Sequence, residues 1–273
     1  MDQRTRRLAG ASAALTFVLV LLGVYTAATG AGLTCDQQWP LCDGAVFGLF
    51  PADFPSFVEW FHRLWAMITG FVVIGATASA WRGDASRRVT AALAGATLIL
   101  PSQVILGALT VTRYELLILV AHFVTAFAIL TLLVAGAVWA YLDRVDLRTR
   151  RRQAATLAVA LLPVYAVLSP RLLFVYSPEV QVAFYAVGMA AYAALVAVAL
   201  TADGVVRALA GGSAAILFVE LVAGRQSYGA TGELLMLAGA LVALGLAGVA
   251  AWRLRTDRDV AAPMGEGGAT SGD

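Results

Sequence analysis

ELLILVAHFVTAFAILTLLVAGAVWAY, residues 115–141, carries a charge only at its first position and holds one histidine, His122. An apolar run of about 18 residues or more is long enough for a helix to cross the hydrocarbon core of a bilayer. Lipid offers backbone N–H and C=O groups no partner, so such a run has to be helical. Working outward, comparable apolar runs occupy 8–29, 57–81, 89–111, 154–174, 179–201, 205–223 and 232–252. The chain is 60% hydrophobic and 13% charged over 273 residues, where a soluble domain carries about 25% charged residues. These features predict an all-α integral membrane protein with eight transmembrane helices.

The charges orient it. All 19 basic residues are arginine. Arg4, Arg6 and Arg7 precede the first span, and Arg82, Arg87 and Arg88 separate the second from the third. Arg144, Arg148, Arg150, Arg151 and Arg152 follow the fourth, Arg207 lies between the sixth and seventh, and Arg253, Arg255 and Arg258 follow the last. In an eight-span chain these positions share one side. Arg113, Arg171 and Arg225 fall on the other, with Arg63 just inside the second span. Short cytoplasmic loops are enriched in Arg and Lys, so both termini are expected in the cytoplasm. The first apolar run exceeds the core of a signal peptide and reads as a retained helix. A basic stripe with interleaved aromatics and a phosphate-cradling Gly-rich loop are both missing, which leaves nucleic acid binding without support.

The Arg-rich segment 143–152 divides the chain. Residues 1–145 are expected to form one four-helix bundle and 146–255 a second, with 256–273 a disordered cytoplasmic tail. A weak internal repeat links the halves. Glu115-Leu-Leu-Ile-Leu matches Glu233-Leu-Leu-Met-Leu, and Gln103-Val-Ile-Leu-Gly107 parallels Glu220-Leu-Val-Ala-Gly224. In that register His122 corresponds to Ala240, and His62 falls opposite Tyr185.

The chain has two histidines, His62 and His122. Each enters its helix from the outer side and sits roughly 8–11 Å below that surface at 1.5 Å per residue. Two imidazoles at one depth suit axial ligation of a heme iron. The competing reading is a pair of interhelical hydrogen bonds. Glu59 lies one turn before His62, on the same face. Its carboxylate suits either support of the imidazole N–H or proton movement. Arg63 suits a heme propionate, although both Glu59 and Arg63 also suit an interfacial position. Gln103, in the outer half of the third span, faces either the same pocket or another helix. Gly107 is read as a point of close helix approach.

Cys35 and Cys42 share a long first outer loop with Trp39 and Pro40 between them. That loop faces the oxidising side, where disulfides persist. A structural staple and a redox-active pair both remain open, because six intervening residues are not a CxxC signature.

These segments resemble the heme A synthase family. Thr29-Gly30-Ala31-Gly32-Leu33 with Cys35, Trp39-Pro40-Leu41-Cys42 and Gly44 is similar to its first outer loop. Glu59-Trp60-x-His62-Arg63, Gln103-x-x-x-Gly107-x-x-Thr110-Val111 and Ala121-His122 are similar to its second, third and fourth helices. The resemblance covers about residues 4–141. It implies two pseudo-symmetric four-helix bundles, with substrate heme O in the N-terminal one. It also implies oxidation of a heme O methyl group to the formyl group of heme A. By position, His62 and His122 would ligate the heme iron, Glu59 would act near the methyl, and Cys35 and Cys42 would form the loop disulfide.

The family's two further histidines, which hold a permanent heme b, fall here on Tyr185 and Ala240. The C-terminal half is therefore expected to bind no bis-histidine heme. The implied setting is a prokaryotic plasma membrane, with heme O synthase and cytochrome oxidase assembly as partners, lipid around the helices, and an electron donor the sequence does not specify. Self-association into a homo-oligomer is compatible with the sequence. A non-catalytic heme-binding assembly factor and a b-type membrane cytochrome are the alternative readings.

Overall fold

The computed structural model describes residues 1–35, 38–39, 42, 50–113, 115–169, 173–224 and 229–256. Pro40, Leu41, Gly44, Arg171, Arg225, Arg258 and all but the first residue of the expected tail 256–273 lie outside the described residues.

Among the described residues the chain forms eight α-helices and two short 3-10 turns. The helices are α1 (Gln3–Ala28), α2 (Phe54–Arg82), α3 (Arg87–Thr112), α4 (Leu116–Tyr141), α5 (Leu147–Val167), α6 (Pro178–Thr201), α7 (Gly204–Ala223) and α8 (Gly229–Thr256). Short polar side chains start several of them. Asp2 accepts from Thr5 N at 2.6 Å, Asp53 from Ser56 N at 2.9 Å and Asp146 from Arg148 N at 3.1 Å, each satisfying an amide that the helix cannot. The Ser56 amide also holds the Asp53 carboxyl below the usual carboxylate range.

Seven of the eight helices are long and apolar enough to cross a membrane; α5 is the exception. The expected span 154–174 becomes a helix that starts at Leu147, because Asp146 caps it inside the arginine run. It ends at Val167, before Pro170, whose ring disfavours helix at the residue preceding it. Arg148, Arg150, Arg151 and Arg152 therefore occupy its first two turns.

Packing follows chain order. Helix α1 packs on α2 and α4, and α3 lies between those two; α5 packs on α6 and α8, with α7 between them. The two sets meet mainly where α1 and α4 touch α6. Polar contacts gather the Arg-rich ends into one layer. Thr5 Oγ1 bonds Ser79 Oγ at 2.7 Å, Arg6 Nε donates to the Ala140 carbonyl at 3.1 Å, and Arg152 Nε donates to the Leu254 carbonyl at 2.7 Å.

The two sets are filled differently. A buried apolar cluster confined to α1–α4 comprises Ala9, Val73, Ala76, Ala80, Val89, Leu93, Ala96, Ile129, Leu133 and Ala140. All lie toward the Arg-rich layer. The larger cluster runs through α5–α8 and includes Tyr165, Phe184, Tyr185, Met189, Leu217 and Leu221. The Tyr165 and Phe184 rings stack 4.4 Å apart. There the packing is close: a Cβ at Gly188 would lie 2.7 Å from Tyr165 Cε2 and 2.8 Å from Leu221 Cδ2.

Gly188→Ala is therefore expected to destabilise the protein by about 1–3 kcal/mol through overpacking. Gly245→Ala, with nothing within 4 Å of the added carbon, should be neutral or mildly stabilising. Thermal unfolding of both variants in detergent checks the contrast; equal midpoints would show that α6 is not wedged against α5 and α7.

Candidate functional site

His62 and His122 project from α2 and α4, which stand diagonally across the first four helices, with α1 and α3 between them. His62 stands eight positions after Phe54, and His122 six positions after Leu116. The imidazoles thus start about 12 and 9 Å from the outer helix ends. Each is backed by a glycine. A Cβ on Gly23 of α1 would lie 3.0 Å from His62 Cε1, and one on Gly107 of α3 would lie 3.3 Å from His122 Cε1. The absent side chain of Gly107 thus makes room for an imidazole; its part is accommodation of a ring rather than backbone approach alone.

Polar groups surround His122. Gln103 Nε2 lies 3.3 Å from His122 Nε2, and Gln103 Oε1 accepts from the Thr125 hydroxyl. The third and fourth helices are joined at this depth by a Thr–Gln–His chain, so Gln103 faces the histidine pocket. By contrast, Nδ1 of both His62 and His122 is buried without a hydrogen-bond partner among the described residues. Just inward on α2, Trp65 Nε1 donates to the Leu15 carbonyl of α1 at 3.2 Å.

Glu59 is buried, 5% exposed. Its Oε1 accepts from Arg63 Nε at 2.7 Å, and Arg63 Nη1 donates to the Gln38 carbonyl at 3.0 Å. The carboxylate thus engages the arginine one turn away rather than His62. Its other oxygen faces Gly32, where a Cβ would stand 3.6 Å away. Gly32 reaches this position because Gly30 turns the chain at φ 73° into the 3-10 turn Ala31–Leu33, a conformation that costs glycine little.

Cys35 and Cys42 form a disulfide, and both are buried. Cys42 Sγ lies 3.5 Å from the Ser56 carbonyl, and Ser56 Oγ bonds Thr34 Oγ1 at 3.1 Å. The loop is thereby seated on the first turns of α2, beside the Glu59–Arg63 pair. A run of rings, Phe50, Phe57, Trp60, Phe61 and Trp65, follows α2 inward, with neighbouring centroids 5.7–6.3 Å apart.

The chain matches the family model of cytochrome oxidase assembly proteins (COX15-CtaA) over residues 6–173, more than half its length. The chain belongs to the cytochrome oxidase assembly protein family. The likeness to heme A synthases read from the motifs agrees with curated relatives. A heme A synthase of Bacillus licheniformis is 34% identical over 132 residues, 45% of this chain and 43% of that protein. One of Shouchella clausii is 40% identical over 83 residues, 30% of this chain and 27% of that protein. A protoheme IX farnesyltransferase of Halobacterium salinarum is 44% identical over 100 residues, 37% of this chain and 21% of that protein. The chain thus spans about a fifth of that farnesyltransferase and less than half of these heme A synthases. No solved structure matches.

The family match takes in α1–α5 and so contains every candidate site residue. Two participants, Thr125 and Gly23, carried no mark in the sequence. Thr125 lies one turn beyond His122 on the same helix, a spacing that could have pointed to it. Gly23 had no signal. Glu220, which stands where the repeat register places Gln103, is buried with both carboxyl oxygens lacking a hydrogen-bond partner among the described residues.

Breaking the Glu59–Arg63 pair from one side should strand a buried charge. Arg63→Met is expected to cost about 3–5 kcal/mol, and adding Glu59→Gln should recover most of it. Thermal unfolding of the single and double variants tests this; an equal loss in both would show that burial of the charge is not the cost.

Proposed function

We propose that this protein is a heme A synthase-type oxidoreductase that binds heme O among α1–α4 and oxidises one of its methyl groups to a formyl group. The observation that carries this reading is the pair of imidazoles at similar depth on diagonal helices, each set against a glycine. A macrocycle ligated from both faces needs such a pair. The inward limit of the site is the small-residue cluster around Val73, Leu93, Ala96 and Ile129. Family membership and the heme A synthase relatives support the reaction class.

In this reading His62 and His122 hold the substrate iron and fix the ring's position. Conversion of a methyl to a formyl group removes four electrons from the carbon, through two hydroxylations and loss of water from the geminal diol. These electrons leave to an oxidant outside the chain. The substrate supplies the redox-active metal, and the protein supplies orientation and proton handling. Glu59 is the acidic group near the reacting carbon, held in place by Arg63 Nε. Arg63 also faces the outer loop at Gln38, where it serves a propionate at the rim. The Cys35–Cys42 disulfide lies above the same turn, placing a two-electron couple next to the site.

The second four helices form a scaffold without a heme b. Tyr185, opposite His62 in the repeat, is fully buried and donates to the Leu221 carbonyl at 2.9 Å, and Ala240 is buried against the same interior. The rings of Tyr165 and Phe184, stacked, and of Tyr185, edge-on to Phe184, occupy the interior of these helices. We place α5 across the membrane with its neighbours, since its inner end bonds α8 in the Arg-rich layer. This puts both termini in the cytoplasm of a prokaryotic plasma membrane. Likeness to a protoheme IX farnesyltransferase supports a position directly after heme O formation, upstream of cytochrome oxidase assembly. The filled second half also favours one other reading, a heme-binding assembly factor that leaves the heme unchanged.

Heme extracted from cells that make heme O, with and without this protein, separates the two. Heme A or its hydroxylated precursor should appear only with the protein, and His62→Ala or His122→Ala should abolish both product and the low-spin heme spectrum. Purified protein carrying only unmodified heme, under conditions where a four-histidine relative makes heme A, would establish the assembly factor instead.

A further inference from the structure

Between the start of α1 and the end of α4 the Arg-rich layer opens into a cleft of about 620 Å³, lined by Asp2, Gln3, Arg6, Arg7, Tyr141 and Arg144. Its lining has three guanidinium groups and one carboxylate. That carboxylate is already engaged: Asp2 Oδ1 accepts from Thr5 N at 2.6 Å, and Oδ2 lies toward Gly83, 3.7 Å from where a Cβ would stand. None of the three arginines makes an ion pair among the described residues.

Arg6 is fixed in place. Its Nε donates to the Ala140 carbonyl at 3.1 Å and its Nη2 to the Met1 carbonyl at 3.0 Å, and Cζ stands 6.0 Å from the centroid of the Tyr141 ring. Tyr141 is in turn seated on α1, where a Cβ on Gly10 would lie 3.6 Å from its hydroxyl and its Cε2. A guanidinium has five N–H donors; these two bonds leave three for a ligand. Arg7 and Arg144 are exposed, and neither side chain has a partner among the described residues. One anchored fork with two unpaired ones beside it suits a phosphate, whose oxygens accept from several guanidinium groups at once.

Depth selects the source of that phosphate. Helices α1 and α4 are of membrane-spanning length. At the same ends of α2 and α8, Trp81 and Trp252 are 76% and 60% exposed, and exposed tryptophans gather where hydrocarbon meets water. The cleft therefore opens at the level of lipid headgroups, and basic pockets between membrane helices at that level bind anionic headgroups. A headgroup with its own cation, such as choline, would bring a positive charge against three arginines.

We propose that this cleft is a binding site for an anionic glycerophospholipid, whose phosphate Arg6, Arg7 and Arg144 hold between α1 and α4. It stands at the opposite ends of these helices from the histidine pocket and does not depend on the heme reading.

Native mass spectrometry of the full-length protein in detergent, titrated with phosphatidylglycerol or with phosphatidylcholine, tests this. The wild type should bind phosphatidylglycerol at least about tenfold more tightly, as expected for three charges of about a factor of five each. Arg7→Gln with Arg144→Gln leaves the Arg6 bonds to the helix ends in place and should weaken phosphatidylglycerol binding roughly thirtyfold. Arg87→Gln with Arg88→Gln removes the same charge from the same layer outside the cleft and should change it by less than about threefold. Equal losses in the two double variants, or no preference over phosphatidylcholine, would overturn the site. Inorganic phosphate added to the same samples separates the two sources. Displacement of the lipid by millimolar phosphate, lost in Arg7→Gln with Arg144→Gln, would assign the cleft to a soluble anion and overturn the lipid.

Discussion

A bilayer gives a polar group no partner, so every hydrogen-bonding atom at membrane depth has to find one inside the protein or serve a ligand. For the backbone the solution is helices, with Asp2, Asp53 and Asp146 taking up amides at their starts. For side chains the same constraint separates the two ends of α1–α4. Toward the Arg-rich layer the interior is mostly alanine, valine, leucine and isoleucine, and its hydroxyls are paired, as in Thr5–Ser79 and Thr77–Thr97. Toward the outer face it holds His62, His122, Gln103, Thr125 and the Glu59–Arg63 pair. Polar residues gathered at one depth are costly to fold around unless something uses them. Nδ1 of both histidines is among the buried atoms of α1–α4 without a described partner, as are the hydroxyls of Thr16 and Thr69.

The last four helices repeat the chain-order packing of the first four with opposite contents. Aromatic rings occupy the interior, and Gly188 is pressed between Tyr165 and Leu221. Gly224, parallel to Gly107, is backed by Phe184, with a Cβ there lying 3.0 Å from Phe184 Cε1; Gly107 is backed by an imidazole. One glycine register thus accommodates a ligand-type side chain in one half and a packing ring in the other. Glu220, parallel to Gln103, points at Gly239, next to Ala240 rather than to a histidine.

Much of this was legible in the sequence, for identifiable reasons. Long uncharged runs set the helices, since length and hydropathy alone decide a membrane span. The fifth helix was read, but about seven residues late at each end, because a short polar residue, Asp146, starts it inside a charged run that hydropathy assigns to a loop. His62 and His122 were conspicuous because the chain has no others. Their setting was not, since it depends on residues with no chemistry of their own, Gly23 and Gly107, and on a threonine among many. Glu59 was read on the face of His62, but helical spacing alone does not say whether a carboxylate turns to the histidine three residues on or to the arginine four residues on. The arginine prevails because an ion pair with buried members needs its own counter-charge.

On the proposed reading, the contrast between the halves also limits how electrons reach the site. That reading gives α5–α8, packed by rings and aliphatic side chains, no heme to relay them. Among the described residues between the histidines and the outer surface are the disulfide seated on Ser56, Arg63 bonded to Gln38, and the rings from Phe50 to Trp65. A donor serving this site is therefore best met at the outer face, over the loop. The second set of helices then has a mechanical task. Through the contacts of α6 with α1 and α4 it braces one of the two histidine-bearing helices, α4, together with its neighbour α1.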